Sequence, residues 1–359
     1  MSHDGITNHI DSEASESAER RRLLSLAARA GDHATYEELI GFERILAKSR
    51  VLSRARIESK TFGGHARRPT AVRILVVDNG RRKSRLVEKV KFKSSARLRR
   101  RGDRLARFHQ AFDDALKGIS PRLIEHVELP ELCAFYFEYA PGREGPSVQR
   151  QRWNEIASLI GKINSIEVRS PLGERKKLLR LHAYKQHEQF PRHLDAMERV
   201  FGSLRMPFGV EIVQGYRQAL PRLQDLAIRL PTCLSHGDLH RGNLRLSAKG
   251  ALVIDWDSAD FLPVGTDVSR YLFKDEWVNL SVDEAMGFIE RYRRTLRFDV
   301  GVEDLLASVC YQAAVLNFRT FLCPTGSVSL ENAAARIERS PDTTSVFLRL
   351  SAMALQRFL

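Results

Sequence analysis

The sequence predicts an α+β protein of two lobes, in which a small antiparallel β-sheet precedes a mostly helical unit. Short segments between residues 51 and 139 alternate apolar and polar side chains, and turn residues separate them, which is typical of half-buried strands. From about residue 150 onward, apolar side chains recur instead at helical spacing. The chain has 359 residues, which is long enough for one large or two medium hydrophobic cores.

Residues 1–48 are predicted to form an extension in front of both lobes. Residues 1–17 are polar and acidic and predict disorder, whereas apolar residues from Glu19 to Ala47 have helical spacing. The extension has no apolar run of signal-peptide length, and no stretch approaches the roughly 18 apolar residues that a membrane span needs. Together with four scattered cysteines that form no CxxC pair, this predicts a cytoplasmic protein without a membrane span.

The N-lobe, predicted over residues 49–140, consists of a three-strand meander, an arginine-rich helix and two further strands. The helix is expected over about residues 95–117, and Pro141-Gly142 ends the sheet. The strands are expected over residues 51–59, 72–77, 86–92, 123–127 and 134–139. A glycine pair, Gly63-Gly64, lies in the first turn, where a backbone must bend closely.

The C-lobe, predicted over residues 141–359, is helical apart from one short hairpin. The hairpin spans residues 243–254, with its turn at Ser247 to Gly250. Helices are expected over residues 153–163, 176–200 and 210–229, and again from about Asp267 to the C-terminus.

The net charge of +14 raises the question of an anionic partner. The excess lies in the first 250 residues and is densest in the arginine-rich helix, from Arg97 to Arg107. A solvated helix face explains this run, whereas a nucleic-acid-binding surface would also interleave aromatic residues with the charge. We therefore expect no nucleic-acid partner, and nucleic-acid binding stays the weakest of the function hypotheses.

The segment SHGDLHRGNL, residues 235–244, concentrates polar side chains and allows three interpretations. A metal site through His236 and His240 would need a helix and a third ligand, but two glycines interrupt the segment. A nucleophile at Ser235 with His236 as base is disfavoured, because neighbouring residues of a strand point to opposite faces. The catalytic loop of a phosphotransferase is the third interpretation, and it requires an additional carboxylate downstream.

That carboxylate is present in VIDWD, residues 253–257. Phosphoryl transfer needs a carboxylate that orients the attacking hydroxyl and oxygen ligands that hold Mg²⁺. Asp255 ends an apolar strand twelve residues after Asn243 (255 − 243 = 12). Because the intervening hairpin reverses the chain, the sequence predicts that Asp255 returns to the side of Asn243.

HGDLHRGN followed by VIDWD resembles the signature of the aminoglycoside phosphotransferase and choline kinase-like family, which has a protein-kinase-like fold. The resemblance implies transfer of a phosphoryl group from ATP, with GTP as an alternative, to a hydroxyl of a small molecule. It also implies that Asp238 is the base and that Asn243 and Asp255 bind Mg²⁺. His236 would brace the loop, and Arg241 replaces the proline that is usual in this family. The acceptor and the oligomeric state stay open.

The resemblance also implies nucleotide-binding residues in the N-lobe. Lys89 on the third strand would bind the phosphates, although Lys91 on the same strand face is an alternative. Gly63 and Gly64 would lie at the phosphates, but their segment lacks the GxGxxG pattern. The residues Glu138, Tyr139 and Ala140 would form the hinge at the adenine. The acidic partner of the lysine would be Asp103, Asp113 or Asp114.

Two residues near the loop are assigned alternative roles. His240, two positions after Asp238, would stabilise charge on the transferred phosphoryl group with help from Arg241, or would simply pack the loop. The resemblance of PVGTDV, residues 263–268, to a segment of the same family implies that Asp267 caps a helix and supports the loop, with a catalytic role as the alternative. A pseudokinase that binds without catalysis is the second function hypothesis, but the three signature positions, Asp238, Asn243 and Asp255, are intact.

Overall fold

The computed structural model describes most of the chain from Ala55 onward. The described residues are 55–63, 70–78, 83–92, 105–128, 132–142, 146–167, 189–274, 277, 279–322 and 330–359. The predicted N-terminal extension, Gly64 and Asp103 lie outside them. The chain divides into two compact units, of which the first ends at Ala140 and the second begins at Pro141.

The N-terminal unit contains a five-stranded antiparallel sheet, as the sequence predicts. Its strands are β1 (Ala55–Gly63), β2 (Thr70–Asp78), β3 (Lys83–Phe92), β4 (Leu123–Glu128) and β5 (Leu132–Glu138). They are ordered β1-β2-β3-β5-β4, so the central strand β3 pairs with β2 on one side and β5 on the other.

One helical segment of this unit, α1 (105–112), belongs to the predicted arginine-rich helix. Its buried residues include Leu105, Phe108 and Phe112, and the ring of His109 lies 5.0 Å from that of Phe137 on β5. Helix α1 therefore packs on the sheet face that carries Phe137.

The C-terminal unit is mostly helical. Its helices are α2 (Pro146–Gln151), α3 (Trp153–Asn164), α4 (189–203), α5 (Pro207–Arg229), α6 (Thr266–Phe273), α7 (Val282–Arg293), α8 (Val302–Leu322), α9 (Leu330–Arg339) and α10 (Pro341–Leu355). No helix among the described residues is long and apolar enough to cross a membrane.

Among the described residues of this unit, four short strands interrupt the helices. The predicted hairpin is present as β7 (Leu244–Ser247) and β8 (Gly250–Val253). A second pair, β6 (Thr232–Ser235) and β9 (Asp260–Pro263), was not predicted. Each of its strands has only four residues, which is too short to show a period, and their pairing joins segments on either side of the hairpin.

An aromatic cluster fixes α6 within the C-terminal unit. The ring of Trp153 lies 4.8 Å from Phe288, 5.0 Å from Trp277 and 5.8 Å from Tyr271, measured between centroids. Tyr271 stacks on Phe288 at 5.2 Å. Because interiors are close-packed, such a cluster holds α6 in one position; α6 carries Asp267, and Lys274 directly follows it.

Candidate active site

The segment SHGDLHRGNL leaves β6 through a sharp bend at Gly237. This residue has φ of +76°, and a Cβ atom there would overlap the carbonyl oxygen of Ser258. Only glycine meets both conditions without strain. The bend turns the chain away from the β6–β9 pair, and Asp238 is the first residue after it.

His236 is fully buried and braces the loop through both ring nitrogens. The backbone N–H of Asp238 donates to Nδ1 at 3.3 Å, so Nδ1 is unprotonated. The proton therefore resides on Nε2, which donates to the carbonyl oxygen of Ile254 at 2.9 Å. The ring thus links the loop to the end of β8 as a neutral imidazole.

Asp267 anchors the same loop from α6. Its carboxylate is fully buried and accepts hydrogen bonds from the backbone N–H groups of His236 at 2.8 Å and Gly237 at 2.9 Å. Asn164 of α3 donates to the same carboxylate at 3.1 Å and receives a bond from Tyr292 at 2.7 Å. Three donors compensate for the burial of this carboxylate.

The predicted capping role of Asp267 was wrong. The residue lies in the first turn of α6, whose N-cap is Gly265, and no side chain caps this helix. The carboxylate points to the loop and satisfies loop N–H groups instead, although its place in the first turn still suits the positive end of the helix dipole.

Burial raises the pKa of Tyr292 well above its ordinary value, so Tyr292 stays a neutral donor to Asn164.

Asn243 lies at the start of the hairpin with its side-chain amide oriented by the loop. Its Nδ2 donates to the carbonyl oxygen of Asp238 at 3.0 Å, and the residue is 7% exposed. Since Nδ2 is used in this way, Oδ1 is the amide atom that would bind a metal ion. The N–H of Ile254 donates to the Asn243 carbonyl at 2.9 Å, so the hairpin returns the residue before Asp255 to Asn243, as predicted.

Asp255 is exposed and has an unusual backbone. Its φ of 65° and ψ of 59° lie in the left-handed region, which non-glycine residues rarely occupy and which costs about 1–3 kcal/mol. Aspartate tolerates this region better than most residues. The strain ends β8 abruptly, and a 3-10 turn over Trp256–Ser258 follows.

Asp238 forms an ion pair with a lysine that sequence reasoning missed. Lys274 Nζ lies 2.6 Å from Asp238 Oδ1, and the two side chains are 21% and 37% exposed, respectively. Lys274 directly follows α6 and lies seven residues after Asp267 (274 − 267 = 7), or two helical turns. This spacing from a residue already assigned to the loop is the sequence signal that could have identified it.

His240 and Arg241 are both engaged in local contacts. The Nδ1 atom of His240 accepts the N–H of Gly242 at 3.2 Å and thereby caps the 3-10 turn over Arg241–Asn243. The guanidinium of Arg241 lies 4.9 Å from the ring centroid of Trp277 in a cation–π contact. Because Nδ1 of His240 is an acceptor, a neutral His240 carries its proton on Nε2.

The two candidate phosphate lysines lie on one face of β3. Lys89 is opposite Phe135 of β5, and Lys91 is opposite Cys133, whereas Glu88 faces the other side and is fully buried. Lys89 is half-buried and Lys91 is 9% exposed. The face that both lysines share is the one on which α1 packs.

The other predicted N-lobe residues are partly described. Gly63 is the last residue of β1 and lies opposite Thr70, while Gly64 and Asp103 are outside the described residues. Asp113 and Asp114 are exposed in the turn that follows α1.

The predicted hinge continues directly from β5. The backbone N–H groups of Glu138 and Tyr139 donate to the carbonyl oxygens of Arg122 at 3.0 Å and Arg85 at 3.3 Å. The Glu138 carboxylate also pairs with Arg122 at 3.3 Å, and Arg85 lies over the Tyr139 ring at 5.5 Å. An adenine contact would therefore use the N–H of Ala140 or a carbonyl oxygen of this segment.

Comparison with known proteins agrees with the fold. The model of the phosphotransferase enzyme family matches residues 70–305, more than half of the chain. A search of curated proteins finds no match. Among solved structures, an ethanolamine kinase of Plasmodium vivax is 12% identical with a TM-score of 0.57, and the alignment covers 91% of each chain.

Two solved structures of bacterial proteins resemble this chain with TM-scores in the same range. An aminoglycoside phosphotransferase from Alicyclobacillus acidocaldarius is 13% identical with a TM-score of 0.53, covering 86% of this chain and 96% of that one. A choline/ethanolamine kinase family protein from Mesorhizobium loti is 11% identical with a TM-score of 0.52, covering 87% and 98%. At these identities the likeness concerns the fold, and it confirms the predicted kinase-like fold.

Proposed function

Because the chain belongs to the phosphotransferase enzyme family, we propose that it transfers the γ-phosphoryl group of ATP to a hydroxyl of a small molecule. The observation that carries the proposal is the joint placement of Asp238, Asn243 and Asp255 by one loop and one hairpin. A carboxylate and two oxygen ligands for Mg²⁺ are the protein groups that this reaction needs.

We propose a cytoplasmic location, which three buried free cysteines support.

Asp238 serves as the base in the proposed reaction. As the acceptor oxygen forms its bond to the γ-phosphorus, the hydroxyl proton moves to the Asp238 carboxylate. The bond between the γ-phosphorus and the bridging oxygen breaks, and its electron pair leaves with ADP. The neutral ring of His240 would donate a hydrogen bond from Nε2 to an oxygen of the transferred group, since Nδ1 is already an acceptor.

The residues present fit a magnesium ion. Asn243 would contribute Oδ1 and Asp255 its exposed carboxylate, and hard oxygen ligands are those that Mg²⁺ prefers. Two protein ligands would suffice, because Mg²⁺ in proteins is usually held by one or two carboxylates together with substrate phosphates and water. When bound, Mg²⁺ supplies positive charge at the phosphates.

The nucleotide is proposed to bind to the N-terminal unit. Lys89 would contact the phosphates, and Ala140 would contact the adenine through its backbone. The base is adenine in this proposal, with guanine, and therefore GTP, as the alternative. A hydrogen bond from a charged donor to a phosphate is roughly twice as strong as one between neutral groups. Loss of the lysine should therefore weaken ATP binding more than loss of the neutral hydrogen bond from Ala140.

Substitution of Lys89 provides a test of this assignment. We expect Lys89→Met to raise KM for ATP about 10- to 100-fold, the equivalent of one charge-assisted hydrogen bond. Lys91→Met is the matched control, because Lys91 lies two residues further on the same strand face. Steady-state kinetics at varied ATP decide between them, and a larger effect of Lys91→Met would transfer the role to Lys91.

Asp255→Asn should weaken the metal site. We expect kcat to fall at least about 100-fold and the Mg²⁺ concentration at half-maximal rate to rise, because a metal ion supplies several kcal/mol of charge stabilisation. Titration of activity with MgCl₂ measures both quantities. Asp299→Asn is the control, since Asp299 is 99% exposed in its side chain, and an unchanged Mg²⁺ requirement in Asp255→Asn would contradict the assignment.

The proposed function itself is tested by an acceptor screen. Purified protein is incubated with γ-labelled ATP, MgCl₂ and a panel of aminoglycosides, amino alcohols, homoserine and sugars, and labelled product is separated from ATP. Transfer to one acceptor class is the expected result. Stabilisation by Mg-ATP without transfer to any acceptor would favour the pseudokinase hypothesis instead.

A further inference from the structure

We propose that Lys274 is a positioning residue for the catalytic base Asp238, an inference that rests on the proposed function. The ammonium lies 2.6 Å from Asp238 Oδ1 and is, among the described residues, the side-chain hydrogen-bond partner of this carboxylate. Neither the signature motifs nor the family resemblance assigns a role to this lysine. Its contact is with an atom of the carboxylate that would receive the acceptor proton.

The contact leaves one carboxylate oxygen for catalysis. Lys274 occupies Oδ1, so the proton of the acceptor hydroxyl would go to Oδ2 of Asp238. An unrestrained aspartate rotates about two side-chain bonds, and only a fraction of its orientations point Oδ2 at an attacking hydroxyl. The ion pair restricts this rotation, and misplacement of a reacting group by about 1 Å costs up to 100-fold in rate.

Helix α6 is what gives the lysine a fixed position. Asp267, in the first turn of the helix, accepts hydrogen bonds from the loop. Lys274, directly after the last turn, pairs with Asp238. Seven residues of helix span about 10.5 Å, so the helix contacts the catalytic loop at two separated points. Tyr271, between them, is buried and donates to Gln149 at 3.1 Å, which further restrains the helix.

The ion pair acts on the orientation of the Asp238 carboxylate. The transition state of phosphoryl transfer is loose, and the hydroxyl proton need not be removed early, so positioning dominates. With 21% of its side chain exposed, Lys274 has fewer accessible rotamers than a fully exposed lysine.

The test compares Lys274→Met with Lys274→Arg on the acceptor identified by the screen. Lys274→Met should lower kcat about 10- to 100-fold while KM for ATP stays within about threefold, because the carboxylate is misplaced but the nucleotide site is intact. Lys274→Arg, which keeps the positive charge and can reach a carboxylate, should recover most of kcat. Lys162→Met, at an exposed position in the last turn of α3, is the control.

A double variant shows whether Lys274 acts through Asp238. In an Asp238→Asn background, Lys274→Met should lower the residual single-turnover rate by less than about twofold, since the oriented carboxylate is already lost. The shift in melting temperature of the double variant should also be smaller than the sum of the two single shifts, and this readout needs no substrate.

The outcomes separate this inference from the proposed function. If the wild type transfers phosphate and Lys274→Met does so at an unchanged kcat, the positioning role is refuted while the proposed function stands. A kcat loss that Lys274→Arg does not recover, or that persists in the Asp238→Asn background, also refutes it. If the wild type transfers phosphate to no acceptor, the proposed function fails first and the inference fails with it.

Discussion

Asp238→Asn is expected to lower kcat about 10²- to 10⁴-fold, the range that general base catalysis contributes. The amide cannot accept the hydroxyl proton, yet it has almost the same shape as the carboxylate. The backbone of Asp238, which binds Asn243 and His236, is unaffected by the change. KM for ATP should therefore stay close to that of the wild type, and the loss should appear in kcat.

The stability of this variant separates chemistry from folding. Asp238→Asn loses the ion pair with Lys274, which is partly exposed and is worth at most about 1 kcal/mol. The melting temperature should therefore shift by only a few degrees. Asp225→Asn, at an exposed position on α5, should leave both kcat and melting temperature unchanged. A kcat within about tenfold of the wild type in Asp238→Asn would remove Asp238 from the role of base.

Asp267→Asn is expected to lower the free energy of unfolding by about 2–4 kcal/mol, because a buried donor then lacks its acceptor. One carboxylate oxygen accepts two donors, from His236 and Asn164, and the other accepts the N–H of Gly237. An amide of the same shape presents an NH₂ group to one of these donors. No cavity arises, so the change in hydrogen bonding alone produces the loss.

Thermal and urea unfolding measure this effect, with Asp225→Asn again as the exposed control. Activity should fall as well, since the two N–H groups that Asp267 binds immediately precede Asp238. Of the two variants, Asp267→Asn should lose more stability and Asp238→Asn should lose more kcat. An Asp267→Asn protein as stable as the wild type would mean that another group satisfies the loop N–H groups.

The sequence alone predicted the sheet, the hairpin and the proposed reactive residues because each depends on local information. A short run of apolar residues specifies the strand β2, alternation of apolar and polar residues specifies β3, and turn residues between β7 and β8 specify the hairpin. Asp238, Asn243 and Asp255 lie within one hairpin and the loop before it. Their approach therefore follows from chain reversal and requires no knowledge of distant packing.

Short strands that pair with a distant segment were not predictable in this way. The strands β6 and β9 have four residues each and pair across an intervening hairpin, so no periodic signal identifies them. The capping role expected for Asp267 was wrong because helix-start patterns describe local N–H groups. They do not indicate that a neighbouring loop offers two N–H groups of its own.

The nature and spacing of the proposed reactive side chains were thus determined by the sequence, whereas their support was decided only by the tertiary structure. The bonds from Asp267 to the loop join residues 30 and 31 apart, and the bond from Tyr292 to Asn164 joins residues 128 apart. Lys274 reaches Asp238 over 36 residues. Contacts of this separation depend on how helices pack against one another, and a linear pattern of residue types does not encode that packing directly.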